Sequence, residues 1–109
     1  MTANKVKAKF CGITNYEDAK LALDLGINYL GFNFYTKSKR YIDPIEAKLI
    51  TRRLPVNISL VGVFVNSKKN EIDNIAKEVS LDTIQLHGDE DLDFCNSWNE
   101  LKIIKFLMY

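Results

Sequence analysis

The chain has 109 residues, 47% of them hydrophobic and 11% aromatic, with 15 Lys and Arg against 14 Asp and Glu for a formal net charge of +1. That length supports one modest core, burying roughly 60 to 70% of the unfolded surface, so a single domain over 1–109 is expected. Balanced charge argues against a nucleic-acid or anionic-membrane partner.

The opening MTANKVKAKF lacks the apolar stretch of a signal peptide. No apolar run approaches the roughly 18 residues of a membrane helix, and a cytoplasmic protein is expected. The two cysteines, Cys11 and Cys95, show no CxxC or other ligand spacing, and the lone His87 has no sequence-local partners for a metal set. Both thiols are expected to be reduced.

Strand and helix patterns alternate along the chain. Lys7 to Cys11 predicts a strand; Thr14 and Glu17 have capping-box spacing, and a pattern containing Ala19, Ala22, Leu23 and Leu25 ends at Gly26. Tyr29 to Phe34 predicts a second strand, followed by the cationic KSKR loop. Asp43-Pro44 supplies the cap and first turn of a helix that Pro55 stops. Ser59 to Val65 predicts the third strand, with Ser67 as N-cap of a helix whose Ile72, Ile75, Ala76 and Val79 recur at i, i+3, i+4 and i+7. Thr83 to His87 predicts a fourth strand, Asp89 to Trp98 a fourth helix with Leu92 and Cys95 on one side, and Lys102 to Met108 a fifth strand.

A strand followed by a helical crossover returns parallel to its start, so the cadence predicts a parallel α/β sheet. A five-stranded doubly wound domain suits this length, whereas a complete (β/α)8 barrel needs typically about 250 residues and at least about 200. Side-chain alternation favours the barrel. One face collects Lys9, Cys11, Gly31, Asn33, Gln85 and His87; the other collects Phe10, Leu30, Phe32, Phe34, Ile84 and Leu86. A doubly wound sheet should be apolar on both faces, while a barrel can turn polar groups inward near its mouth. The expected fold is therefore (β/α) units of a TIM barrel, covering about strands 1 to 5.

Four segments, CGITNYEDA (Cys11 to Ala19), LGFNFYTKSKRYIDP (Leu30 to Pro44), VGVFVN (Val61 to Asn66) and IQLHGDE (Ile84 to Glu90), resemble the N-terminal half of phosphoribosylanthranilate isomerase in order and spacing. The resemblance implies an Amadori rearrangement of N-(5-phosphoribosyl)anthranilate in tryptophan biosynthesis, without metal or organic cofactor. It implies that an acid opens the ribose ring to an iminium and that a base removes the C2′ proton to give the enolamine.

Cys11 matches the base. By itself it reads more readily as a small apolar filler of a buried strand, but the C-terminal end of a barrel strand is where such folds place catalytic groups, and a thiolate can serve as a base near neutral pH. Arg40 matches the arginine near the anthranilate carboxylate, where a guanidinium fork suits a planar carboxylate; on composition alone KSKR is a solvated loop. Gln85 and His87 face the same mouth and are candidate substrate contacts. Cys95, Phe94 and Trp98 are expected in the core, and Asn66 and Asp89 at turns or caps.

The family's acid, an aspartate on strand six, and its phosphate loops would lie beyond Tyr109. A fragment or a natural truncation is thus expected, inactive alone, whose apolar edge at Phe106, Leu107 and Met108 favours self-association or pairing with a C-terminal half. The partners expected are a small phosphorylated substrate and that half. Two further functions compete with this reading: an inactive half-barrel that serves for association, and a receiver-type signalling domain. The receiver needs clustered carboxylates at the mouths of strands one and three, where this chain has Cys11-Gly12 and Val65-Asn66.

Overall fold

The computed structural model describes residues 9–106; Lys7, Ala8, Leu107 and Met108 of the expected strands lie outside them, as do the side chains of Lys9 and Phe10. In chain order the elements are β1 (Lys9–Cys11), α1 (Tyr16–Asp24), β2 (Tyr29–Asn33), α2 (Pro44–Thr51), β3 (Ser59–Phe64), α3 (Lys69–Val79), β4 (Thr83–Leu86), α4 (Leu92–Cys95) and β5 (Lys102–Lys105). The five strands form one sheet in the order β1-β2-β3-β4-β5, and every neighbouring pair is parallel. A doubly wound sheet reverses direction at a switch point; this one never does.

Register assigns the two faces. Cys11, Gly31, Val61, Thr83 and Lys102 are aligned across the sheet, and one pleat further on stand Asn33, Val63, Gln85 and Ile104. The residues between them, Leu30, Phe32, Leu60, Phe64, Ile84 and Leu86, share one core cluster with Ala19 and Ala22 of α1, Ala47 and Ile50 of α2, Ile72, Ala76 and Val79 of α3 and Cys95 of α4. All four helices therefore pack on one face. The opposite face is less polar than its expected members suggest, because Val61 and Val63 stand on it and are buried.

Local chemistry shifts several boundaries. The N-cap of α1 is Asn15, not Thr14: its Oδ1 accepts the Asp18 amide at 2.8 Å, doing one residue later what a threonine hydroxyl would have done. Leu25, counted in the helical pattern, is the exposed C-cap, and Gly26 follows at φ +84°. Asp43 caps α2 as expected, accepting the Ile45 amide at 2.8 Å, with Pro44 in the first turn. The cap of α3 is Lys68 rather than Ser67. Its backbone amide is held by the Glu71 carboxylate at 3.1 Å, the returning half of a capping box.

The fourth helix contracts most. Asp91 caps it through the Phe94 amide at 2.8 Å, and Leu92 is exposed rather than paired with Cys95. Residues 88 to 90 belong instead to the loop after β4, where the amides of Gly88 and Asp89 donate to Glu90 and Asn66. Phe94 and Trp98 pack edge to face at 5.1 Å against the core, as expected.

The glycine in SLVGVFV explains how the helix-facing layer closes. A Cβ placed on Gly62 would stand 2.5 Å from Leu81 Cδ1 and 2.9 Å from Phe64 Cε2, and Phe64 is stacked on Phe34 with centroids 5.4 Å apart. Gly62→Ala should therefore cost about 1 to 3 kcal/mol through overpacking, read as a lower urea midpoint with an unchanged slope. An unchanged midpoint would show that Leu81 can swing away freely.

Candidate active site at the C-terminal edge of the sheet

Cys11 ends β1 with its side chain exposed. The next residue, Gly12, adopts φ +84°, a conformation that suits glycine, and the chain turns there into the loop before α1. The turn is anchored on β2, since the amides of Gly12 and Ile13 both donate to the Gly31 carbonyl, at 2.9 and 3.0 Å. Gly31 also clears space for the thiol: a Cβ there would lie 3.0 Å from Cys11 Sγ. The same residue thus fixes the backbone that carries the thiol and leaves room for it.

Arg40 arrives by a different route. The loop after β2 is closed at its base by Asn33, whose carbonyl accepts the Ile42 amide at 3.0 Å, whose side chain accepts the Tyr35 amide at 2.9 Å, and whose backbone bridges to Tyr41. Folded back in this way, the loop lays the aliphatic stem of Arg40 over Gly12, where an added Cβ would stand 2.9 Å from Arg40 Cδ. Arg40 is exposed, and among the described residues no carboxylate forms an ion pair with its guanidinium. Lys37 and Lys39 are exposed too, but only Arg40 packs beside the Cys11 turn.

Gln85 and His87 are brought to each other rather than to Cys11. They share the helix-free side of β4, with Gln85 buried and its amide nitrogen against the His87 ring. The imidazole is stacked on Phe106, centroids 4.4 Å apart and planes 11° from parallel. β4 is three strand steps from β1, about 14 Å at about 4.8 Å per step along a sheet. The arrangement offers a thiol beside a cation at one end and an amide–imidazole pair at the other, with Val61 and Val63 of β3 between them.

Sequence reasoning missed Glu90. Its carboxylate is 3% exposed yet charged, accepting the Asn66 and Gly88 amides at 2.8 Å each and Lys105 Nζ at 3.0 Å. Burial pushes its pKa up, but the Asn66 amide, Lys105 and its own amide outweigh that, and the carboxyl lies below its ordinary value. The only sequence signal was the final residue of IQLHGDE. Asn66 and Asp89 are turn residues as expected, with Asn66 at φ 52° and its Oδ1 accepting the Asp89 amide at 2.7 Å.

Among the described residues no three His, Cys, Asp or Glu side chains converge as metal ligands, and no helix is long and apolar enough to cross a membrane. A cavity of about 540 Å³ lies at the opposite end of the sheet, lined by residues such as Arg52, Val56, Glu78 and Asp82. It contains none of the residues described above.

The Glu90 pKa carries a consequence for stability. A carboxyl whose folded pKa is depressed stabilises the fold fully above the unfolded value of about 4.3, and that contribution disappears as pH falls through the folded value. Glu90→Gln should cost about 3 kcal/mol at pH 7, as breaking a buried pair does. The gap between wild type and variant should narrow as pH falls below about 4.3. Urea denaturation of both proteins from pH 7 to pH 3 measures it, and a gap independent of pH would contradict the assignment.

The family model for N-(5'phosphoribosyl)anthranilate (PRA) isomerase matches residues 8–109. The N-(5'-phosphoribosyl)anthranilate isomerase of Thermotoga neapolitana is 46% identical over 101 residues, covering 92% of this chain and 49% of that protein. The crystal structure of phosphoribosyl anthranilate isomerase from Thermotoga maritima superposes with a TM-score of 0.89 at 44% identity, covering 93% of this chain and 50% of that one. A phosphoribosyl anthranilate isomerase solved in complex with reduced 1-(o-carboxyphenylamino)-1-deoxyribulose 5-phosphate also superposes at 0.89 and 44%, covering 93% of this chain and 53% of its own. The chain spans about half the length of the relatives it matches. With a strand-end thiol at Cys11, an arginine laid over the adjoining glycine, and a family match running from residue 8 to residue 109, the chain belongs to the N-(5'-phosphoribosyl)anthranilate isomerase family.

Proposed function

We propose that this chain supplies the base and the carboxylate contact of a phosphoribosylanthranilate isomerase, forming strands 1 to 5 of its (β/α)8 barrel as a single folded unit. The observation that carries the proposal is the juxtaposition at the end of β1, where Cys11 and the stem of Arg40 occupy the spaces cleared by Gly31 and Gly12. A thiolate at Cys11 removes the C2′ proton of the iminium, and the Arg40 guanidinium, reaching past Gly12, pairs with the anthranilate carboxylate and sets the sugar over the thiol. Gln85 and His87, across the sheet, contact the sugar end of the same phosphorylated substrate. The complex of the related structure supports a substrate of this class. The proton for the ribose ring oxygen and the grip on the phosphate come from the half of the relatives' length that this chain does not span.

Turnover tests the proposal. The 109-residue chain alone should not isomerise freshly made phosphoribosylanthranilate, because general acid catalysis contributes about 10² to 10⁴ in rate and no second copy provides the acid. Co-refolding with the C-terminal half of a relative should restore activity, and in that complex Cys11→Ser should lower kcat by about 10²- to 10⁴-fold with little change in KM. Robust turnover by the chain alone, or a Ser variant near wild-type kcat, would remove Cys11 or the missing acid from the mechanism. Arg40→Ala should weaken product binding by about 1.5 to 3 kcal/mol as a charge-assisted bond is lost, which calorimetry on the complex reads directly; unchanged affinity would return Arg40 to a solvated loop.

A further inference from the structure

One buried carboxylate at the rim of the sheet gathers three chain segments. Glu90 holds the amide of Asn66 from the loop after β3, the amide of Gly88 from the loop after β4, and the ammonium of Lys105 at the end of β5. Lys105 in turn donates to the Gly88 carbonyl. The ion pair therefore grips Gly88 from both sides, carboxylate on its N–H and ammonium on its C=O.

The neighbours of these anchors form the ring stack. Gly88 follows His87 and Lys105 precedes Phe106, and those two rings overlap with centroids 4.4 Å apart. Backbone bonds hold both residues in the ladder, His87 N–H to the Phe64 carbonyl and Phe106 N–H to the Leu86 carbonyl, each at 2.9 Å. The offset between the rings is a finer matter. Phe106 is 51% exposed, so core packing does not hold its ring. The Gln85 amide lies against the same imidazole, and among the described residues the Glu90–Lys105 pair ties residues 87–88 to residues 105–106 beyond the ladder. A buried ion pair contributes little net stability against its desolvation cost, but it demands one geometry.

We propose that Glu90 and Lys105 are positioning residues for His87: by clamping Gly88 to the end of β5 they hold the imidazole flat against Phe106 and so fix its place at the mouth of the sheet. This goes beyond the isomerase proposal and does not depend on it, since the clamp is a statement about geometry. Within that proposal it explains how His87 is presented to substrate without belonging to a rigid strand.

His87 is the single histidine of the chain, so its Cε1–H proton is identified in the NMR spectrum of the 109-residue protein without further assignment. Stacking on a phenyl face displaces this proton upfield, and Phe106→Ala supplies the unstacked reference. Spectra recorded from pH 6 to pH 9 keep a change of protonation from being mistaken for a change of stacking. Glu90→Gln and Lys105→Met should each move the resonance most of the way to the Phe106→Ala position, while Lys105→Arg, which keeps the cation, should leave it near wild type. Resonances that stay at the wild-type position in Glu90→Gln and Lys105→Met would overturn the clamp, as would a wild-type proton already at the Phe106→Ala position. Should Glu90→Gln fail to fold, Lys105→Met decides alone, because it leaves both amide bonds to Glu90 in place. Lost stacking in the variants together with a wild-type complex that shows no isomerase turnover would uphold the clamp and sink the functional proposal; full turnover by the wild-type complex with unmoved resonances in the variants would do the reverse.

Discussion

Parallel pairing in strict chain order is the constraint on which the rest of this molecule rests. Each crossover from one strand to its neighbour is right-handed by the twist of the strands, and because every step moves in the same direction, each helix comes down on the same side. The consequence is a sheet with one apolar, helix-covered face and one face given over to other side chains. All strand ends of like polarity then point the same way. The loops that follow β1, β2, β3 and β4 gather at one edge, and that is where Cys11, Arg40, His87 and Glu90 stand.

At this edge space is created by the absence of side chains. An alanine at Gly12 would be strained by its φ of +84° and would press on the Arg40 stem, and a methyl at Gly31 would crowd the Cys11 thiol. A strand-end thiol and a loop arginine are thus pressed toward the same turn. The Gly31 carbonyl adds the second element, taking both amides of the turn so that the thiol's backbone is held by β2 rather than by its own loop. Binding chemistry on loops needs such a scaffold, since a side chain held only by flexible backbone would spend binding energy on being ordered.

The electrostatics of the rim follow a related logic. A carboxylate as buried as Glu90 would ordinarily take up a proton, and it stays charged because two amides and a lysine converge on it. The surface pairs Lys20–Asp24 and Lys48–Glu78 are exposed on both partners and contribute little. Breaking the buried pair therefore costs more than breaking the visible ones, and it is this pair that fixes geometry at the mouth.

Periodicity in the sequence determined the β-α alternation, the helix-facing residues and the Asp43-Pro44 cap, because each is a local property of spacing and side-chain type. The motifs carried the family resemblance, and with it Cys11 and Arg40 as candidates. What the spacing could not decide was where each helix begins: Thr14 and Asn15 can each accept the first-turn amides, and α3 starts after Lys68, whose backbone amide is held by Glu71, rather than after Ser67. The later start of the fourth helix was equally hidden: the loop before it is tied down by Asp89 N–H on Asn66 and Gly88 N–H on Glu90, and Asn66 is 23 residues away along the chain from Asp89. Gly31 as the partner of Cys11, Gly12 as the seat of Arg40, and Glu90 as the buried charge became evident only when strands from distant parts of the sequence were laid side by side, because each of those roles is a contact between elements and no single element contains it.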